Sequence, residues 1–495
     1  MDRTLVYWLL AAVALLGVAH VAFLPPWEGF DETAHYSSVQ QIADTGAIPL
    51  LGRDRLGADV EAYRGPQHYG AGALTYRDFA RGEGAAIDAP ASRQYRPGAT
   101  KNWQAQHPPL FYALMTPVYH ATKHLGWKGH LFSLRLAAWV LAFAGVAVGA
   151  LGALKLTGNT HVAAVTAGLP LFSPQFFPEM ARLGNDSLCL LLTSIAWVLS
   201  LRLLQTAPAR AWAAPALGVV LGLGLLTKAF FLPLTIGVVL LLALRERRAP
   251  ALREAGIVLG AACLIGGWWY VRNLGLFGTL SGANDFNEGP GFNLLAQLAA
   301  NFSFVRWIKG AAGLALSYLW GGTWSLIRAP EALLLATAAL TGLTLANWAR
   351  RARDLAAWAP AFFIAPVLAA LLVHLAHVLA APSPDFGTPA WYMFIATAPL
   401  GAAMAQGWRP PRLCLGLAVA GFVSAMGLWL LQLALFSGAA IPVGPQRRYG
   451  FDGAAMIDYD ALRAVALPGA GFVALALALA CLAAAAYAFV RAARR

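Results

Sequence analysis

Apolar runs of roughly 20 residues recur from one end of the chain to the other, broken by short polar stretches. A helix of that length matches the hydrocarbon thickness of a bilayer. The first run covers residues 4–24 and the last 467–490. Between them lie 131–154, 161–175, 186–205, 211–226, 229–244, 255–272, 331–347, 356–380, 389–406 and 413–436. The pattern predicts an all-α polytopic membrane protein of about 12 transmembrane helices. The count ranges from 11 to 13 according to how the short runs 161–175, 211–226 and 229–244 divide.

Where the apolar runs stop, the pattern changes. Residues 25–130 form a large first loop with ten acidic and ten basic residues. At its ends, mixed polar and apolar positions predict short amphipathic helices over 31–43, after Pro25-Pro26, and over 110–124, after His107-Pro108-Pro109. Both suit the membrane interface. The stretch 50–105 has no steady period and reads as loop. A second outer region, 273–330, has a Gly/Asn-rich part (278–291) and a possible interfacial helix over 294–319. A third runs from 437 to 466. No separate soluble domain or nucleotide-binding glycine loop breaks the single transmembrane domain read over 1–495.

Charge orients these elements. With the N-terminus inside, the inner connections hold sixteen of the 36 basic residues and four of the 23 acidic ones. The remainder of the chain is nearly balanced, at twenty against nineteen. Positive charge marks the cytoplasmic side, so the net charge of +13 reports orientation rather than nucleic-acid binding. With 12% charged residues and a mean hydropathy of +0.60, the chain is far from the roughly 25% charge of a soluble domain. The first run is expected to stay as a span rather than be cleaved as a signal peptide, since no small-residue cleavage site follows it. All four cysteines (Cys189, Cys263, Cys414, Cys481) fall in or beside apolar runs, so the outer loops have neither a disulfide framework nor zinc spacing.

Candidate chemistry gathers at the outer ends. Asp31 and Glu32 open the first amphipathic helix, with His35 one turn after Asp31. Paired carboxylates there can act as a general base for an incoming hydroxyl, or simply cap the helix. His107 can bind a phosphate or acceptor, or hold a turn. Asp186 follows Glu179 and Arg182 at the outer end of a span, as a second acid or a helix cap. Lys228 sits at an outer turn and Arg272 at an outer span end. Both fit an aromatic and cationic belt, or a site for an anionic leaving group. The spans themselves carry almost no ionisable groups at mid-depth, unlike transporters that keep coupling groups there. The alternative of a lipid or polysaccharide flippase would use the outer charges as a gate.

Phe30-Asp31-Glu32 with His35-Tyr36, and His107-Pro108-Pro109-Leu110 at the far end of the same loop, resemble the protein O-mannosyltransferases. The layout is similar to the wider group of lipid-linked-sugar transferases with the GT-C fold, including the aminoarabinose transferases of lipid A. Leu226-Thr227-Lys228 and Trp269-Tyr270-Val271-Arg272-Asn273 resemble segments of bacterial members. The likeness covers about the first 275 residues. It implies a GT-C-like bundle and a polyprenyl-phosphate sugar donor used at the extracytoplasmic face. The acceptor would be a lipid, glycan or polymer hydroxyl. It implies Asp31 as base, with Glu32 its neighbour or substitute, and His35, His107 and Asp186 organising the acceptor or phosphate side. Lys228 and Arg272 would neutralise the departing lipid phosphate. A divalent metal could be held by the acids, although no dedicated ligand spacing appears. The region 273–330 is too short for the soluble insertion of protein-modifying members. The resemblance therefore implies a bacterial-type enzyme acting on a lipid, glycan or small polymer, while the basic inner connections predict a bacterial inner membrane with both termini cytoplasmic.

Overall fold

The computed structural model describes residues 3–63, 65–66, 76–79, 93–205, 211–246, 248–280, 282, 294–325, 327, 329–380, 389–408, 423, 426–443, 448–451 and 457–493. Helix α1 (Arg3–Phe23) leads to α2 (Glu32–Thr45), strand β1 (Arg55–Gly57) and the short helices α3 (Ala58–Glu61) and α4 (Tyr76–Asp78). Strand β2 (Pro97–Lys101) pairs antiparallel with β1, Arg55 opposite Lys101, and α5 (Leu110–Thr122) closes this segment. The bundle continues with α6 (Trp127–Thr157), α7 (Thr160–Gly168), α8 (Phe176–Ala181) and α9 (Asp186–Leu204). Then come α10 (Ala213–Leu225), α11 (Phe231–Ala243) and α12 (Arg248–Phe277). The second half holds α13 (Leu294–Ala300), α14 (Phe304–Leu319), α15 (Glu331–Arg351), α16 (Leu355–Trp358) and α17 (Ala361–Ala380). It ends with α18 (Thr397–Gly407), α19 (Met426–Phe436), α20 (Tyr459–Val465) and α21 (Pro468–Ala493). An antiparallel pair of β3 (Ala440–Val443) and β4 (Arg448–Phe451) lies between α19 and α20.

Among the described residues, seven helical stretches are long and apolar enough to cross a membrane, and four shorter apolar helices accompany them. The protein is a multi-pass membrane protein. Every predicted span contains helix where it is described. Most of 413–425 lies outside the described residues, as do most of the Gly/Asn-rich stretch 278–291 and much of 437–466. The expected single helix over 294–319 is instead two, because Ser303 turns extended and its side chain caps α14 by accepting from the Arg306 amide. The aperiodic stretch 50–105 holds the β1–β2 pair, which is too short to show an alternating pattern.

The core is built from close helix contacts. α1 packs on α6, α7, α8 and α21, and α9 packs on α6 and α10. Trp139 of α6 lies flat against α1, its indole donating to the Ala14 carbonyl at 3.0 Å. Only a glycine fits at position 17, since a Cβ there would fall 1.8 Å from the Trp139 ring. Such small-residue contacts let membrane helices approach where no hydrophobic force distinguishes lipid from protein. α10 and α11 have 13 residues each, a rise of about 20 Å against a hydrocarbon core of about 30 Å. Their shared turn thus falls short of a full crossing. The segment from α2 to α5 closes over it, with the Leu110 amide donating to the Leu226 carbonyl at 3.0 Å. Lys228, read at the turn between these two apolar runs, is buried there.

Candidate active site

The chain leaves α1 in a constrained path. Trp27 and Asp31 adopt left-handed backbone, with φ of 64° and 58°. Neither is glycine, so each costs on the order of 1–3 kcal/mol and persists only where its surroundings impose it. Arg135 of α6 is the first of those surroundings. Its guanidinium donates to the Leu24 and Pro25 carbonyls and grips Glu32 with two bonds, Nε to Oε1 at 2.7 Å and Nη2 to Oε2 at 2.5 Å. The Leu183 amide adds a third bond to Glu32, at 3.0 Å. Glu32 and Arg135 are both fully buried, and this forked pairing fixes geometry strongly.

The geometry therefore divides the two adjacent acids. Glu32, read from the sequence as a partner or substitute for Asp31, has every oxygen committed to Arg135 and Leu183 and serves as a structural tie. Asp31 occupies the cap position of α2 but makes no capping bond. Its half-buried carboxylate instead accepts from the indole of Trp103 at 2.9 Å. The helix-capping reading of Asp31 does not describe this side chain.

One turn into α2, His35 bonds the Tyr112 hydroxyl of α5 through Nδ1 at 2.9 Å. The His107 ring stacks on it, 6.0 Å between centroids and 5° from parallel. Burial holds the His35 imidazole well below its ordinary pKa, with the Arg182, His107 and Lys228 charges adding to the effect. Burial and then Lys228 do the same for His107. Both rings are thus neutral hydrogen-bonding groups at physiological pH.

Beneath the histidines lies a buried charge cluster. The Lys228 ammonium donates to Asp186 Oδ1 at 2.6 Å, and Arg182 donates to Asp186 Oδ2 at 3.2 Å and to Glu179. All four side chains are 4% exposed or less. Asp186 is the first residue of α9 rather than its cap, which is Asn185, so its carboxylate is free for the cations. Among the described residues, Nε and Nη1 of Arg182 find no hydrogen-bond partner, and neither does Oε2 of Glu179. Unpaired buried donors on a guanidinium are costly and mark a place where an anion would be accepted. Lys228 also lies over the Tyr392 ring, 4.3 Å from its centroid. The neighbouring Trp391 stacks on Phe30 at 4.9 Å and 12°. The segment Ala390–Ala396 thus joins the Asp31 end of the site to the Lys228 end.

His35, His107, Asp186 and Lys228 come together as one site. Arg272 does not join it by any direct contact. Its guanidinium lies 4.5 Å over Trp269 and bonds Asn273, near the C-terminal end of α12. Trp103, Tyr112, Arg182 and Tyr392 complete the site, and sequence reasoning did not select them. For Arg182 a signal existed, since Glu179, Arg182 and Asp186 place three charges within eight otherwise mostly apolar residues. For the aromatics there was none. The carboxylates Glu179 and Asp186 face a guanidinium and an ammonium, and no cluster of three metal-ligating side chains occurs among the described residues. This donor set suits an anion better than a cation.

A model of the dolichyl-phosphate-mannose-protein mannosyltransferase family matches residues 106–266. No curated protein matches the chain by sequence. Among solved structures, apo ArnT from Cupriavidus metallidurans is similar at a TM-score of 0.50 and 14% identity, covering 95% of this chain and 75% of that one. The same protein bound to undecaprenyl phosphate matches at a TM-score of 0.50 and 15% identity, covering 95% and 76%.

Proposed function

We propose that this chain, a multi-pass membrane glycosyltransferase of the GT-C fold, moves a sugar from a polyprenyl-phosphate donor to an acceptor hydroxyl by a single inverting displacement. The observation that carries the reading is a half-buried carboxylate, Asp31, bonded to the Trp103 indole and within electrostatic reach of a buried guanidinium with unpartnered donors. The undecaprenyl phosphate in the similar ArnT structure supports the donor class.

In this reaction the acceptor hydroxyl attacks the anomeric carbon and the bond to the lipid phosphate breaks. Asp31 takes the hydroxyl proton, and Trp103 orients the carboxylate by holding Oδ1. Lys228 and Arg182 stabilise the phosphate as it leaves, and fixed cations in a water-poor site are most effective where charge develops. His35 and His107, neutral and stacked, supply hydrogen bonds without adding positive charge that would hold the product phosphate. Glu32 with Arg135 keeps the motif in place. The acceptor is a lipid, glycan or polymer hydroxyl. The sorting of basic residues supports a site facing the exterior of a bacterial inner membrane, with both termini cytoplasmic.

The test is transfer of label from a panel of radiolabelled polyprenyl-phosphate sugars into envelope extract, using protein in nanodiscs. Wild type should form a labelled product, and Asp31→Asn should lose activity by roughly a hundredfold or more while eluting as a folded protein. Normal turnover by Asp31→Asn would remove Asp31 as the base. Absence of transfer from every donor would overturn the reaction class.

A further inference from the structure

Glu28 has no part in the chemistry above, yet it is buried at 2% exposure and heavily bonded. Its Oε1 accepts from the Thr323 hydroxyl at 2.6 Å and the Ser325 amide at 2.8 Å. Its Oε2 accepts from the Tyr76 hydroxyl at 2.8 Å, and its backbone carbonyl accepts from the Trp324 amide at 3.0 Å. One side chain thus ties three separate segments: the motif segment after α1, α4 of the first loop, and the turn between α14 and α15.

That turn is held from its other side as well. The Gln175 side chain accepts from the Gly321 and Gly322 amides at 2.8 and 2.7 Å and donates to the Gly322 carbonyl at 3.0 Å. Trp324 packs edge-on against Phe30, 5.1 Å between centroids, one residue before Asp31. The two left-handed residues, Trp27 and Asp31, flank Glu28 and Phe30 on either side. A strained path of this kind holds only if neighbouring groups over-determine it. Arg135 restrains the two ends of the segment, and Glu28 is the group that restrains its middle.

We propose that Glu28 is a positioning residue that buckles the strained motif segment to the 321–325 turn and thereby sets the direction of the Asp31 carboxylate. The proposal rests on the reading of Asp31 as the base. A glutamine at 28 keeps an acceptor for Thr323 and Ser325, and the Tyr76 hydroxyl can rotate to accept from its amide. An alanine removes the acceptor that all three donors share.

The experiment compares Glu28→Ala, Glu28→Gln, Thr323→Val and Asp31→Asn in nanodiscs, by transfer kinetics, binding of undecaprenyl phosphate, and amide exchange of the 321–325 turn. A misplacement of about 1 Å costs roughly a hundredfold in rate, so Glu28→Ala should lose about that in kcat, with binding of undecaprenyl phosphate changed less than about threefold. The Trp324 and Ser325 amides should exchange faster. Glu28→Gln should recover turnover to within about fivefold of wild type, since a bonded neutral acceptor replaces most of the geometry. Wild-type turnover in Glu28→Ala, or glutamine performing no better than alanine, would overturn the proposal. Should Glu28→Ala not fold, Thr323→Val decides: slower turnover with faster exchange of the turn supports the buckle, and wild-type behaviour overturns it. An active Asp31→Asn defeats the base assignment instead. An inactive Asp31→Asn beside a fully active Glu28→Ala defeats the buckle alone.

Discussion

Asp31 and Glu32 carry the same functional group one residue apart, and what separates them is where each backbone position points it. Glu32 turns inward to a guanidinium that also holds two carbonyls, whereas the left-handed backbone at Asp31 turns its carboxylate to Trp103. The histidine pair shows the same dependence on surroundings. The folded His35 titrates well below 6.5, from burial and then from Arg182, His107 and Lys228, while the unfolded ring titrates near 6.5. Below that pH the unfolded chain binds the proton first, so stability falls as pH drops and is unaffected by this group above it. The slope is about 1.4 kcal/mol per pH unit for each such histidine. Melting temperatures in detergent should therefore decline from about pH 6.5 to about pH 5, and His35→Phe should remove roughly half the decline that His35 and His107 produce together. An unchanged slope in that variant would show that the acid sensitivity arises elsewhere. The sequence placed His35 one turn after Asp31, and that much was legible from helical spacing. The split between the acids was not, because the deciding partner, Arg135, lies 103 residues away.

At the scale of elements, legibility follows from length and period. Long apolar runs predicted α1, α6, α9, α12 and α21 closely, since twenty consecutive apolar residues admit few other structures. The short runs were ambiguous because α10 and α11 stop early, and their depth in the bundle comes from packing rather than from their own composition. The Gly17–Trp139 contact makes that packing testable. Alanine in place of a helical glycine gains up to about 1 kcal/mol of helix propensity. Overlap with a buried ring typically costs about 1–3 kcal/mol, and here the added Cβ would sit 1.8 Å from an indole that is bonded to Ala14. The overlap should win. Gly17→Ala is expected to lower the thermal midpoint of the purified protein, with recovery when Trp139 is shortened to leucine in the same chain. A raised midpoint in the single variant would mean that Trp139 moves aside freely and that the α1–α6 contact is not close-packed.

Across the whole molecule, charge is arranged in two ways that serve different ends. Buried charges are paired at the candidate site, as in Glu32–Arg135 and Asp186–Lys228. Exposed basic residues also close helix ends away from that site, as at Arg350 and Arg351 in the last turn of α15. Excess Lys and Arg near span ends fixes orientation because translocating them is unfavourable. On the proposed orientation the net +13 is mostly a statement about topology, with the β1–β2 pair outside and the end of α15 inside. In a background with the native cysteines replaced, Lys101→Cys on β2 should react with a membrane-impermeant maleimide added to intact cells. Arg351→Cys should react only after the membrane is opened. Both positions are exposed, so a failure to label cannot be assigned to burial. If the two reactivities were exchanged, the site would open to the cytoplasm. The donor would then have to be met on the inner leaflet, which would remove the orientation on which the extracytoplasmic reaction depends.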